Sequence, residues 1–214
     1  MKIRSFIIAY ALVLALLLFA DRRTGPKGEN RYSHVVDLTG AEISGRAASP
    51  AAATRIISPA ALIPGTWSAG QIPAERLVAP LVVMDVKASE PSRQITLEEI
   101  AAWESVHGVV PLGAVVAIRS GSNKETAEIA LPISTDAAKF LMDARYVLGF
   151  TIETHANLTS DRTLARQLAL HGSYVVDGAT RLSTLPETGS LVIVAPIKTK
   201  NMAEAPVRIM AMVK

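Results

Sequence analysis

The sequence predicts an α/β domain with a mixed β-sheet, preceded by one hydrophobic N-terminal helix. Half of the 214 residues are apolar and 19% are charged, so the chain can bury a core. Apolar runs typical of strands alternate with helical segments as far as His171, after which the pattern predicts strands alone. A separate apolar run near the N-terminus carries no charge at all.

The N-terminal run comprises the fifteen residues Phe6–Ala20. As a helix it is about 22 Å long, whereas the hydrocarbon core of a bilayer is about 30 Å thick. The run therefore lies between a long signal-peptide core and a short transmembrane helix. Leu18 and Ala20 match poorly the small residues required for signal cleavage, which favours an uncleaved anchor. A cleaved signal and a buried core helix are the alternatives.

We therefore expect residues 1–21 to be a transmembrane anchor or uncleaved signal, 22–31 a linker, and 32–214 one α/β domain. The linker is charged and contains Gly and Pro. Basic residues flank the apolar run on both sides, so their distribution gives little preference for either orientation of this segment in the membrane. The signal-like layout favours a single-pass protein of the inner (cytoplasmic) membrane. Its domain would lie on the periplasmic or extracytoplasmic side, with the cytoplasmic side as the alternative.

The first half of the domain is predicted as strands around one well-marked helix. Thr96 and Glu99 have the spacing of a capping box, and the helix behind them ends at His107–Gly108. This helix is expected to place Ile100, Trp103 and Val106 on its inner side. The other predicted elements of this half are a strand at Tyr32–Leu38, a long loop at Thr39–Ala53, a buried strand at Leu77–Val86 and a buried strand at Ala114–Ser120.

The second half alternates helix and strand before ending in strands. It is predicted to contain a helix at Ser134–Arg145, a strand at Val147–Glu153, a helix at Ser160–His171, and three strands within SYVVDG, SLVIVAPIK and VRIMAMV.

Composition excludes several classes of function. The net charge is +3, but Lys and Arg are scattered without interleaved aromatic residues, so no nucleic-acid partner is expected. Cysteine is absent, which excludes disulfides, thiolate metal sites and cysteine nucleophiles. No G-x-S-x-G motif occurs.

The four histidines do not form a metal motif in sequence, because no two are spaced i, i+4 on a helix. His107 and His171 each precede a glycine that ends a helix, where a capping role is expected. His34 and His155 lie near predicted strand ends and could meet in space. Glu153 and Asp177 also end strands and are candidate general bases, although solvated carboxylates are commoner at such positions.

Several sequence blocks resemble, in the same order, the cyclase family of metal-dependent hydrolases, which includes the kynurenine formamidases. These blocks are VVDLT, QIPAERLVAPLVVMDVK, ITLEEIAAWESVHGVVPLGAVVAIRSG, STDAAKFLMDARYVLGFTIET and the region from SYVVDG to the end. The resemblance implies an α/β fold with a central barrel-like mixed sheet and surrounding helices. It also implies assembly as a dimer or tetramer.

Members of this family carry the metal motif His-x-Gly-Thr-His-x-Asp-x-Pro-x-His shortly before Gly-x-Trp. Here Gly65-Thr66-Trp67 sets the register, which places Thr54 and Pro59 on the threonine and proline of the motif. The four ligand positions then fall on Ala51, Arg55, Ile57 and Ala61. None of these side chains ligates a divalent metal, and the Arg55 cation would repel one.

A later family signature, a His followed by a Glu, is also changed. The resemblance places the Glu position on Asp177 and the His position near Ala165. Another family histidine is replaced by Gly40 in the block Asp37–Gly40. One carboxylate cannot hold zinc or manganese, which need three or four protein ligands. We therefore assign no catalytic, cofactor-binding or metal residue and expect no cofactor.

The sequence thus predicts a degenerate, membrane-anchored cyclase-family domain without catalysis, acting as an accessory or structural subunit of a membrane protein complex. Its expected partners are the membrane, other subunits or further copies of itself. Three alternatives remain. They are a metal-dependent amide or lactone hydrolase of the kynurenine formamidase type, a hydrolase using His34, His155 and Glu153, and a small-molecule binder with a pocket lined by Ile57, Leu62 and Trp67.

Overall fold

A mixed β-sheet closes on itself in the computed structural model, which describes residues 32–40, 53–86, 93–119 and 128–214. Its strands follow the neighbour order β1-β10-β2-β8-β6-β4-β3-β9, and β10 also pairs with β9. The strands are β1 (His34–Asp37), β2 (Arg55–Ile57), β3 (Val78–Asp85), β4 (Val115–Arg119), β6 (Gly149–Ile152), β8 (Tyr174–Asp177), β9 (Ser190–Pro196) and β10 (Glu204–Val213).

The last strand closes the barrel because both of its edges are paired. One edge pairs with β2 over Glu204–Pro206 and then with β1 over Met210–Val213. The opposite edge pairs with β9 over Val207–Met212. Seven strands therefore form a ring and β1 extends it. This architecture confirms the predicted α/β class with a barrel-like mixed sheet.

Helices cover the parallel part of the barrel. Strands β3, β4, β6 and β8 run parallel, so each needs a crossover to reach the next. The helices are α1 (Pro59–Leu62), α2 (Leu97–His107), α3 (Thr135–Arg145) and α4 (Arg162–Leu170). A small parallel pair, β5 (Glu128–Ile129) with β7 (His155–Ala156), lies outside the barrel sheet. Short 3₁₀ helices occupy Ala69–Gln71, Ala74–Arg76, Leu158–Ser160 and Leu182–Thr184.

Two apolar cores lie on opposite faces of the sheet. The barrel interior contains Ile56 and Val176, whereas the layer between barrel and helices contains Ile57 and Val175. Side chains alternate between faces along a strand. Arg55 therefore lies on the same face as Ile57, the face covered by helices.

Helix α2 begins at the predicted capping box. Thr96 Oγ1 accepts a hydrogen bond from the Glu99 amide at 3.3 Å, and Glu99 Oε2 accepts one from the Thr96 amide at 3.1 Å. Ile100 is fully buried, but Val106 is 75% exposed, so the prediction that Val106 packs inward was wrong. The reason is geometric: six residues turn a helix by about 600°, which leaves Val106 about 120° away from Ile100.

Helix α4 begins two residues later than predicted, at Arg162, because Asp161 and not Ser160 caps it. Asp161 Oδ1 accepts from the amides of Thr163 and Leu164, at 2.9 and 3.0 Å. At its other end, His171 Nδ1 lies 2.8 Å from the carbonyl oxygen of Gln167. The structure therefore places His171 at the helix terminus, in the capping role expected from the sequence.

Residues 1–31, which include the predicted anchor and linker, lie outside the described part of the chain, as does most of the predicted loop, residues 41–52. Among the residues that the structure describes, no helix is both long and apolar enough to cross a bilayer.

Truncating Ile100 tests the packing of α2. We expect Ile100→Ala to lower the free energy of unfolding by about 2–5 kcal/mol, because it opens a cavity in the helix-side core. Val106→Ala on the same helix is the control, and its effect should stay within about 0.5 kcal/mol. Urea denaturation followed by circular dichroism measures both. Equal losses for the two variants would contradict the assignment of the helix faces.

Candidate functional site

Charged side chains gather at the carboxyl ends of the parallel strands. Asp85, Arg119 and Asp177 end β3, β4 and β8, and Arg55 begins the neighbouring antiparallel strand β2. In α/β folds the carboxyl ends of parallel strands commonly carry the functional site, because loops converge there above the strand termini. The charged groups here form two ion pairs.

The first pair joins Arg55 to Asp177, which lie directly opposite each other in the β2–β8 register. Arg55 Nε donates to Asp177 Oδ1 at 3.2 Å and to Oδ2 at 3.1 Å, and Nη2 lies 3.1 Å from Oδ2. The Asp177 side chain is 0% exposed and the Arg55 side chain 22% exposed. The expectation that Asp177 is a solvated strand-end carboxylate was therefore wrong. Its charge is tolerated inside the protein because a guanidinium faces it.

Further groups complete this site. The Ala156 amide donates to Asp177 Oδ2 at 2.9 Å, and Glu204 Oε2 accepts from Arg55 Nη1 at 3.1 Å. His155 Nδ1 lies 3.5 Å from Asp177 Oδ1 and is buried without a hydrogen-bond partner. Two carboxylates therefore contact a single guanidinium, and the imidazole lies beside the buried one. Sequence reasoning did not identify Glu204, because its strand enters the site from the far end of the chain.

The second pair joins Arg119 to Asp85. Arg119 Nη2 donates to Asp85 Oδ2 at 2.7 Å, Arg119 Nε contacts Asp85 Oδ1, and Glu187 Oε1 lies 3.5 Å from Nη2. The pKa of Asp85 is held below its ordinary value by the hydrogen bonds from Arg119, and the pKa of Arg119 is raised by the same contact. This carboxylate, too, is already neutralised by an arginine.

The predicted ligand positions do not supply metal donors. Arg55 is paired with Asp177, Ile57 is 4% exposed inside the helix-side core, and Ala61 packs against that core. Ala51 lies outside the described residues, and Ala165 lies on α4. Among the described residues, no three His, Cys, Asp or Glu side chains are grouped closely enough to hold a metal ion. The described residues at these positions therefore do not fit the divalent metal that the family resemblance implies.

The backbone features around these positions are kept. Thr54 Oγ1 accepts from the Gly40 amide at 2.6 Å and donates to the Gly178 carbonyl oxygen at 2.7 Å, so it joins three chain segments. Pro59 begins α1, and Gly65 adopts φ +89°, a conformation that favours glycine. The loop therefore has a defined shape that does not depend on a metal.

The alternative hydrolytic residues are only partly brought together. His155 reaches Asp177, as described above. The His34 ring instead contacts the Ser33 hydroxyl at 2.8 Å, on a strand that borders β10, whereas His155 is on β7 beside β5. Glu153 is half-buried in the turn between β6 and β7.

The apolar pocket expected around Ile57, Leu62 and Trp67 is not formed by these three side chains. Ile57 and Leu62 belong to the helix-side core. Trp67 is 40% exposed, and its ring lies 5.5 Å from the guanidinium carbon of Arg76. Trp67 lines a separate cavity of about 250 Å³ with residues that include His171 and Gly172.

Comparisons with known proteins give one family match and several similar proteins and structures. A family model described as "Putative cyclase" matches residues 31–157, more than half of the chain. The isatin hydrolase of Roseibium aggregatum is 24% identical over 160 residues, 65% of this chain and 61% of that protein. The match thus spans less than two thirds of this relative's length.

Solved structures show the same fold. Isatin hydrolase A from Labrenzia aggregata superposes with a TM-score of 0.66 at 27% identity, over 88% of this chain and 87% of that chain. Isatin hydrolase A from Ralstonia solanacearum gives 0.67 at 23% identity, over 89% and 86%. A potential metal-dependent hydrolase with cyclase activity gives 0.62 at 21% identity, over 83% and 96%.

Restoring an acidic residue at position 57 tests whether this ligand position is now part of the core. We expect Ile57→Asp to destabilise the protein by about 3 kcal/mol or more, because a carboxylate would be buried without a partner. Ile57→Val is the matched control and should cost about 0.5–1.5 kcal/mol. Denaturant unfolding compares the two. An aspartate variant as stable as the valine variant would show that the position is not committed to packing.

Proposed function

The chain belongs to the cyclase family, and from that premise we propose that it is a non-catalytic member. In this proposal the domain is held at a membrane by its N-terminal segment and serves as an accessory or structural subunit of a membrane protein complex. The observation that carries the non-catalytic part is the Arg55–Asp177 pair, which fills one ligand position with a cation and engages the remaining acidic one.

The chemistry of the family explains why this exchange matters. Metal-dependent hydrolases activate water through a bound cation that lowers the pKa of that water to about 7. Such a cation needs three or four donors and an open coordination position. The guanidinium of Arg55 is not a Lewis acid and cannot coordinate water as a metal ion does. It forms ion pairs with Asp177 and Glu204. The site is therefore suited to holding strands together and not to forming hydroxide.

An exposed face of the barrel supports a role in binding another protein. On β1, β10, β9 and β3 the side chains that alternate with the barrel core point outward and are exposed or half-buried. Residues directly opposite in antiparallel strands share a face. Two rows result: Val35, Met212, Leu191 and Pro80, and beside them Asp37, Met210, Ile193 and Val78. We call these eight residues the outer sheet face.

The outer sheet face has the make-up of a protein interface. Seven of its eight residues are apolar, and the eighth, Asp37, is paired with Arg208 at 2.8 Å beside it. An apolar centre with a charged rim of both signs is typical of protein–protein contacts. A lipid surface would instead favour cations alone around the apolar residues. A subunit of the proposed complex is therefore the partner that this face fits best.

A metal-dependent hydrolase is the second candidate, favoured by the similarity to isatin hydrolases. In that case the substrate would be a cyclic or aryl amide. The donor set described above argues against it.

The non-catalytic proposal is tested by metal content and hydrolysis. Purified protein should contain less than about 0.1 equivalent of Zn or Mn by plasma mass spectrometry, because its ligand positions lack donors. Its rate of hydrolysis of isatin and of aryl formamides should not exceed the rate in buffer alone. The Labrenzia aggregata isatin hydrolase, treated identically, is the positive control. Stoichiometric metal together with hydrolysis that a chelator abolishes would refute the proposal.

The interaction role is tested on the outer sheet face. Purification from native membranes in mild detergent should yield a large complex of constant composition. The pair Ile193→Asp and Met210→Asp should release the chain from it, because charges would replace the apolar centre. Leu170→Asp, at an exposed apolar position on α4, should leave the complex intact. Recovery of the wild-type chain alone would refute the role of this face. Recovery of the same complex from the Ile193→Asp/Met210→Asp variant and from the Leu170→Asp control would also refute it. A complex made only of this chain would identify the partner as a second copy.

A further inference from the structure

We infer that Asp177 and Glu204 form a cation site, and that the Arg55 guanidinium is the cation that the chain itself supplies to it. Asp177, Glu204 and Arg55 come from three different strands: β8, β10 and β2. The guanidinium would thus be a tethered substitute for a bound ion.

Directionality supports this inference. Arg55 reaches both oxygens of Asp177 from Nε and Nη2, while its Nη1 reaches Glu204 at 3.1 Å. A planar guanidinium presents its donors in a fixed fork, which matches two carboxylates approaching from different sides. A single ammonium cannot reproduce this pattern with one charge centre. The two carboxylates are therefore positioned to bind one planar cation.

Burial makes the cation necessary. The Asp177 side chain is fully buried, and apart from Arg55 it has the Ala156 amide at 2.9 Å and the His155 ring nitrogen at 3.5 Å. One amide hydrogen bond does not compensate a carboxylate removed from water. Removing only the cation should therefore be far more harmful than removing both charges.

The position of the site gives the cation a mechanical role. Glu204 begins β10, the strand that closes the barrel through β2 and β9. Arg55 lies on β2 and bonds both to Glu204 and to Asp177 on β8. One guanidinium therefore links three consecutive strands of the ring at the point where it closes.

This inference rests on the proposed function in one respect, that no divalent metal occupies the family's position. The two can fail separately. Stoichiometric metal in the wild-type protein would refute the non-catalytic proposal, whereas the cation site is tested on variants of Arg55 by their stability.

The test is chemical rescue of the full-length Arg55→Ala variant in detergent. We expect its melting temperature to fall by about 10 °C in 20 mM NaCl, because Asp177 loses its counter-charge. Replacing the salt with 20 mM guanidinium chloride should restore at least half of that loss. Zn²⁺ or Mn²⁺ at 1 mM is the control, and neither should restore the melting temperature, because the described residues do not group three metal donors. The wild-type melting temperature should not rise in any of these salts.

Two further variants identify the cause of any loss. Arg55→Ala combined with Asp177→Asn should melt above Arg55→Ala alone and should not respond to guanidinium, since no buried charge remains. Arg55→Lys should fall between wild type and Arg55→Ala, because it keeps the charge but loses the fork. The inference is overturned if Arg55→Ala melts like wild type, if guanidinium does not rescue it, or if Zn²⁺ or Mn²⁺ rescues it instead. Should Arg55→Ala fail to fold, folding of the double variant supports the inference and its failure refutes it.

Discussion

The contact between the Arg55 guanidinium and the buried Asp177 carboxylate is the interaction on which the site depends. It joins two strands in direct register and also engages Glu204 on the strand that closes the barrel. In the proposed non-catalytic role, the Arg55 guanidinium supplies positive charge at strand ends where the family resemblance places metal ligands. A second arginine, Arg119, neutralises the carboxylate of Asp85 nearby. The carboxylates of Asp177 and Asp85 therefore each have an arginine as counter-charge.

The same exchange accounts for the shape of the surrounding loop. Ile57 and Ala61 contribute to the helix-side core, where metal donors would have required a polar cavity. Thr54 keeps its hydrogen bonds to Gly40 and Gly178, so the backbone is still anchored. Two positions where the resemblance places metal ligands, Ile57 and Ala61, therefore take part in core packing. A rigid barrel with a helix-covered side and an apolar outer sheet face is well suited to serve as a docking body.

Much of this could be predicted from sequence, because the signals were local. The capping box at Thr96 and the substitution at Arg55 lie within a few residues of the motifs that reveal them. The burial of Asp177 and the role of Glu204 could not be predicted, since both depend on strands that meet only after the barrel closes. Val106 was misplaced because its apolar character suggested burial, whereas the helical rotation sends it to solvent. The outer sheet face also required the register of four strands.

The paired edges of β10 also constrain when the domain can fold. This strand comes last in chain order among the described strands, yet it pairs with β1, which comes first, and with β2 and β9. During synthesis, the edges of β1, β2 and β9 that pair with β10 stay unpaired until β10 has been made. Contacts between distant chain segments form slowly, and unpaired edges invite association with other chains. For a domain that follows a proposed membrane anchor, assembly with a partner would therefore compete with barrel closure in time.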